Sequence, residues 1–211
     1  MFWILKNSCK LDFLGINCQF LGNEIIIRNN EANKLAVINA LFTAEFADAC
    51  ATELIGGADE PLYLPSGDVD RTAKIFYRQD FLASALHEVA HWCIAGKDRR
   101  AMKDFGYWYN PEGRSAAEQI QFESVEVKPQ ALEWMFSVAC KKSFHVSADN
   151  VTSNGVNTND ESFRWAVVLQ AQHWCSPGSL PVRGQQFVKA LMAHYNTDAT
   201  CTEYYQLKHL R

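Results

Sequence analysis

Leu86-His87-Glu88-Val89-Ala90-His91-Trp92 is the stretch around which the chain is organised. It carries an H-E-x-x-H pattern. Two histidines at this spacing lie one above the other on a helix face, so both imidazoles can reach one metal ion. The flanks read as helix over residues 81–95. No Gly or Pro interrupts them, Asp80 is placed as an N-cap, and Gly96 follows as the C′ residue. At about 100° per residue, Leu82, Leu86, Val89 and Cys93 share one apolar stripe. Asp80, Ser84, His87, Glu88, His91 and Ala95 fall in an opposing wedge of roughly 100°. That wedge holds only small or polar residues and leaves room for an ion.

Upstream, Lys74-Ile75-Phe76-Tyr77-Arg78 reads as a strand leading straight into this helix, with an edge open to an extended substrate. Leu62-Tyr63-Leu64 is a second short strand between two turn signals, Asp59-Glu60-Pro61 and Pro65-Ser66-Gly67. Residues 31–55 read as a helix, with Leu35, Ile38, Leu41, Phe42 and Phe46 at helical spacing and Gly56-Gly57 ending it. In residues 1–30, Phe13, Ile16, Phe20 and Ile25-Ile26-Ile27 are apolar without a clear period. They fit a small strand pair, a disordered extension, or a stretch translated from an early start codon.

Downstream, Lys97-Asp98-Arg99-Arg100, with Lys103, is a basic turn. It is either a solvated surface or a patch that docks an acidic partner beside the metal. Phe105-Gly106-Tyr107-Trp108-Tyr109 is an aromatic cluster suited to core or pocket wall. Residues 115–140 read as a long helix kinked at Pro129. Gln119, Glu123, Glu126, Gln130 and Glu133 fall within about 80° of one another on it, and Gln121, Ser124 and Lys128 make a second polar stripe. A surface helix needs only one wet face, so one stripe must face a cavity, a partner or a metal. Residues 143–159 are a polar loop, and helices follow over 160–175 and 184–195. His173 and His194 on these helices are read as structural or exposed.

Two histidines leave a divalent ion undercoordinated. A carboxylate from the long helix, Glu126 first and Glu123 second, would complete either a zinc site or a 2-His-1-carboxylate iron site. Gln130, one turn after Glu126, would support it. Zinc would make Glu88 the base of a peptidase, and iron would serve oxygenation. Spacing alone favours the peptidase, and no third histidine follows at the metzincin spacing.

Composition bounds the rest. The chain has 211 residues, is 48% hydrophobic and carries a net charge of -4. One α+β domain is expected, mostly helical, with a small β-sheet beside the H-E-x-x-H helix. Residues 31–211 form the expected catalytic domain and 1–30 an extension. The acidic balance argues against a nucleic-acid partner. The seven cysteines include no C-x-x-C pair, so free thiols in a reducing compartment are expected. Met1 to Lys6 makes a poor signal peptide, and no apolar stretch approaches membrane-spanning length. A cytoplasmic monomer without membrane association is expected.

Several blocks carry more than the motif. Ser84 to Lys97, Asp104-Phe105-Gly106-Tyr107-Trp108-Tyr109 and Gln121 to Leu132 closely resemble the elongation factor P hydroxylase family of bacteria. So do Glu60 to Pro65 and Val146-Ser147-Ala148-Asp149-Asn150. The resemblance covers roughly residues 35–195 and leaves out 1–30. It implies a non-haem iron oxygenase with a zincin-like fold, using dioxygen to hydroxylate the β-lysyl-modified lysine of elongation factor P. By matching position, it implies His87, His91 and Glu126 as metal ligands. Glu88 matches the motif glutamate, with a supporting or proton-handling role in place of water activation. Tyr107, Trp108 and Asp149 are candidates to line the pocket for the modified lysine. Arg99 and Arg100 are candidates to meet the substrate, since elongation factor P is in general acidic. The alternative stays a small zinc metallopeptidase of the SprT-like or gluzincin kind, with Zn2+ in place of Fe2+. A third reading is a non-enzymatic adaptor with a closed structural site.

Overall fold

The computed structural model describes residues 18–67, 69, 71–105, 115–147 and 160–210. Its elements run in the order α1 (Cys18–Cys50), β1 (Thr52–Ala58), β2 (Leu62–Leu64), β3 (Ala73–Arg78), α2 (Leu82–Ile94), α3 (Lys97–Arg100), α4 (Ala116–Ala139), α5 (Asp160–Trp174) and α6 (Val182–Tyr195). Two short 3-10 turns close the chain. The class is α+β, with the expected predominance of helix and one small sheet.

The sheet order is β1-β3-β2, with β1 parallel and β2 antiparallel to β3. This corrects two expectations. The helix expected over 31–55 stops at Cys50, and Thr52–Ala58 is a strand. Ala51, at φ 46°, breaks the helix there, and Gly56-Gly57 lie inside β1 where the register with β3 shifts. Gly57 takes the positive φ of that bulge. The second correction concerns β3. It is the central strand, paired on both sides, so it has no edge for a substrate. The outer edge of β2 is itself engaged, because Tyr63 and Asp104 exchange both backbone hydrogen bonds at 2.7 and 3.1 Å.

Backbone residues from Cys18 onward continue α1, so Ile25-Ile26-Ile27 are helical and take no part in a strand. The rest of the N-terminal stretch lies outside the described residues. Leu35, Ile38, Phe42 and Phe46 are buried, as their spacing requires. They meet Trp92 and Phe187 edge-on or tilted, with Phe42–Trp92 at 5.4 Å and Phe46–Trp92 at 4.9 Å between centroids. Alternation along β3 buries Ala73, Ile75 and Tyr77 on one face.

Both ends of α2 differ from their sequence reading. Phe81 holds the N-cap position without a side-chain bond. Asp80 belongs to the preceding turn, where Gln79 has φ 45° and Ser84 Oγ accepts from the Arg78 N–H at 2.9 Å. Gly96 is extended and starts α3, so no left-handed glycine closes α2. Arg183 of α6 takes that role. Its guanidinium donates to the carbonyls of Trp92 (2.7 Å), Cys93 (3.3 Å) and Ala95 (2.8 Å) and stacks over the Trp92 ring at 4.5 Å.

α4 begins on a capping box: Ser115 Oγ accepts from the Glu118 N–H, and Glu118 accepts from the Ser115 N–H at 2.8 Å. It runs through Pro129 and packs against α2, α5 and α6. No described helix is long and apolar enough to cross a membrane. Cys50, Cys93, Cys140, Cys175 and Cys201 are free thiols, in line with the reading from their number.

A Cβ at Gly56 would lie 2.6 Å from the Tyr77 hydroxyl and 2.8 Å from Asp80 Oδ1. Gly56→Ala is therefore expected to destabilise the fold by about 1–3 kcal/mol, read as a lowered midpoint in denaturant unfolding.

Candidate metal centre

α2 divides as its sequence divides. Leu82, Leu86, Val89 and Cys93 are buried against the core, while Ser84, His87, Glu88 and His91 line the partly open side. α4 supplies the complementary surface. Gln119, Glu123, Glu126, Gln130 and Glu133 are all buried, whereas Gln121, Ser124 and Lys128 are exposed. The first stripe is thus the one that faces away from bulk water, and it meets the histidines of α2.

The Nε2 atoms of His87 and His91 are 3.0 Å apart. Glu126 Oε1 lies 3.2 Å from His91 Nε2, and Glu126 Oε2 lies 3.6 Å from His87 Nε2. One ligand atom from each of His87, His91 and Glu126 can be chosen so that all lie within 4.8 Å of one another. A divalent ion with bonds of about 2.1 Å at tetrahedral angles spaces its ligand atoms about 3.4 Å apart. The observed separations bracket that spacing. Glu126 is 2% exposed, and its Oε2 has no hydrogen-bond partner among the described residues. A buried carboxylate oxygen left in that state is costly, and a cation between it and the two imidazoles would satisfy it. The donor set fits zinc and ferrous iron alike.

Glu123 is turned elsewhere. Its Oε1 accepts from Gln119 Nε2 at 2.9 Å, one turn earlier on the same helix, and it does not join the cluster. Glu133 holds a position that sequence reading left without a role. His87 Nδ1–H donates to its Oε2 at 3.0 Å, which fixes the ring and turns Nε2 toward Glu126. The signal was present: Glu133 sits two turns beyond Glu126 on the polar stripe, beside a histidine that needs its second nitrogen held. Gln130 helps keep Glu126 ionised and also clamps Ser147, donating to its carbonyl at 2.6 Å and accepting from its N–H at 3.0 Å.

Charge in this cluster is strongly coupled. Burial alone would push His87 below its ordinary 6.5. The hydrogen bond and charge of Glu133, with the charges of Glu88 and Glu126, outweigh it and raise His87 to about 10. Burial pushes the Glu126 carboxyl up, but His91, His87 and Gln130 pull it below the usual range. Burial raises Glu88, and the two histidines only partly oppose it.

The centre opens into a cleft of about 250 Å3 lined by Glu60, Glu88, Glu126, Glu133, His145 and Ser147, among others. That is just under the roughly 300–1,000 Å3 of small-ligand pockets, a size for one long side chain. On its other side Glu88 joins His91, Tyr63, Arg99 and Arg100 around a smaller hollow. Arg99 is not free there, since its Nε donates to Asp104 Oδ2 at 2.6 Å. Arg100 donates to the Ala95 carbonyl. Tyr107, Trp108 and Asp149 lie outside the described residues. His173 and His194 are exposed and far along the chain from the cluster's elements, as expected.

Glu126→Ala should abolish metal retention, and Glu133→Ala should weaken it by about 10–100-fold, while Glu123→Ala stays near wild type by titration calorimetry. Loss of metal in Glu123→Ala alone would refute the ligand set. Proton linkage gives a second test. With His87 raised to about 10 in the metal-free protein, it is protonated at neutral pH and must give up that proton to a metal. Metal uptake at pH 7 should therefore release protons, and apparent affinity should fall as pH falls, by roughly tenfold per unit for one displaced proton. Potentiometric titration during metal addition reads this directly.

Comparison with known proteins places this geometry. A family model described as elongation factor P hydroxylase matches residues 41–205. The elongation factor P lysine hydroxylase of Haemophilus influenzae is 45% identical over 166 residues, covering 79% of this chain and 92% of that protein. These similarities support the hydroxylase reading and not the zinc-peptidase alternative. The chain belongs to the elongation factor P hydroxylase family.

Proposed function

We propose that this chain hydroxylates a lysine side chain of elongation factor P in its β-lysyl-modified form. A ferrous ion held by His87, His91 and Glu126, with dioxygen as cosubstrate, would serve the reaction. The observation that carries the reading is the buried carboxylate of Glu126 aimed at two imidazoles, in a chain closely similar to a lysine hydroxylase. The bound ion would supply what no protein side chain can, the activation of dioxygen for replacing C–H by C–OH.

The protein groups have separable tasks in this account. Glu133 keeps the proton on His87 Nδ1, so Nε2 presents its lone pair to the centre. Gln130 and the histidines keep Glu126 ionised. A lysine extended by a β-lysyl group carries positive charge, and the carboxylate of Glu60 at the cleft attracts it toward the centre. Hydroxylation of C–H needs no water-derived nucleophile. Glu88, raised by burial, serves as a proton-holding group beside the centre and not as a hydrolytic base. The Gln130 clamp fixes the backbone at Ser147 as one wall of the cleft.

An H-E-x-x-H helix beside a small sheet, with its third ligand from the next long helix, suits a zincin-like architecture with a new use. The unit that carries the activity comprises residues 31–211. The reaction belongs in the cytoplasm, where translation factors act, and the working form is a monomer.

Incubation of the iron-loaded protein with β-lysylated elongation factor P and oxygen should add about 16 Da to the substrate, one oxygen atom. Intact-protein mass spectrometry reads the shift. An unchanged mass with metal bound and oxygen present would overturn the proposal. Glu88→Gln separates this reading from proteolysis: a zinc peptidase would lose its activity with that base, whereas here the variant should retain metal and measurable hydroxylation.

A further inference from the structure

A second cleft lies beside the C-terminal end of α2, and its lining charges are opposite in sign to the carboxylates of the metal cleft. Lys97, Arg100, Arg183, Trp92, Tyr63 and Ser66 line it with other small or apolar residues, and no carboxylate is among the described residues lining it. In a chain of net charge -4 this is a marked local reversal. The three cations come from the start of α3, its end, and α6, so only the fold brings them together.

Two of these cations are held in a way that calls for an anion. Arg183 donates to the Ala95 carbonyl at 2.8 Å, and Arg100 donates to the same oxygen. Carbonyls orient guanidinium groups but carry no net charge, so two full positive charges are held together at one neutral acceptor. Burial and the charge of Arg100 both work against protonation of Arg183. Two donors of the lining residues, Trp92 Nε1 and Arg183 Nε, are buried without an acceptor among the described residues. Lys97 is exposed and extends the positive field to the rim.

We infer that this cleft is a docking surface for a carboxylate-bearing segment of the protein substrate, apart from the lysine that enters the metal cleft. The inference rests on the proposed function. A protein substrate must be held by more than one side chain, and the two clefts give it two handles of opposite sign. The hollow lined by Glu88, His91, Arg99 and Arg100 shares Glu88 with the metal cleft and Arg100 with the basic one, so it neighbours both. The acidic segment would steer encounter and fix orientation, and the cationic arm would enter toward the metal.

Lys97→Glu tests this without disturbing the fold, because its side chain makes no hydrogen bond or ion pair among the described residues. Lys208→Glu, on the C-terminal turn that packs against α5, makes the same change in net charge away from the cleft. Steady-state hydroxylation of folded, β-lysylated elongation factor P by the wild type comes first and tests the functional reading. Given that activity, Lys97→Glu should raise KM about fivefold with kcat retained and a weaker dependence of KM on salt, while Lys208→Glu matches wild type. Equal KM and equal salt dependence in Lys97→Glu and Lys208→Glu would overturn the docking surface while leaving the functional reading in place.

Discussion

The structure turns on a carboxylate, Glu126, that is buried on one helix and faces two imidazoles on another. Burying ionised groups is costly unless each finds a partner, and removing one member of such a set leaves the others uncompensated. Here the compensation is reciprocal. Glu126 and Glu133 raise His87, and the histidines lower Glu126. Much of the fold serves to hold those two helix faces in register. β3 feeds directly into α2, Arg183 ties down its far end, and a capping box sets the start of α4. The polar stripe of α4 then falls opposite the histidines and nowhere else.

Function follows from placing this centre at the base of a cleft the size of one side chain. Carboxylates beside the candidate metal centre suit a cationic arm, and family membership identifies the substrate class as a lysine on a translation factor. Glu88 shows how one motif can carry different chemistry. In a peptidase its position would activate water. Here it is raised by burial and sits between two hollows, a setting for holding a proton or meeting a substrate cation. Ligand geometry alone does not distinguish these uses, and the similarity to a lysine hydroxylase does.

The local, periodic features were legible in the sequence. The two faces of α2 and the buried stripe of α4 from Gln119 to Glu133 follow from helical spacing and match the structure, whereas spacing alone does not choose between Glu123 and Glu126, which share that stripe. What failed depended on tertiary partners. Gly56-Gly57 look like a helix terminator, yet they lie at a register shift of β1, where Tyr77 and Asp80 leave no room for a Cβ at Gly56. Asp80 and Gly96 have the right chemistry for caps, but the end of α2 is satisfied by Arg183, 88 to 91 residues beyond the carbonyls it holds, in a helix whose role no local pattern reveals. β3 looked like an available edge, since nothing in Lys74–Arg78 announces pairing on both sides. Glu133 was visible on the stripe, but its task emerged only once His87 Nδ1 was seen to need an acceptor.

The central claim is that the oxygen added to the lysine comes from dioxygen at a centre built by His87, His91 and Glu126. Isotope labelling tests it most directly. Reaction under 18O2 in ordinary water should give a product heavier than substrate by about 18 Da, and reaction under ordinary dioxygen in 18O-water should leave the label out. Label arriving from water, or a product free of added oxygen under 18O2, would contradict the account.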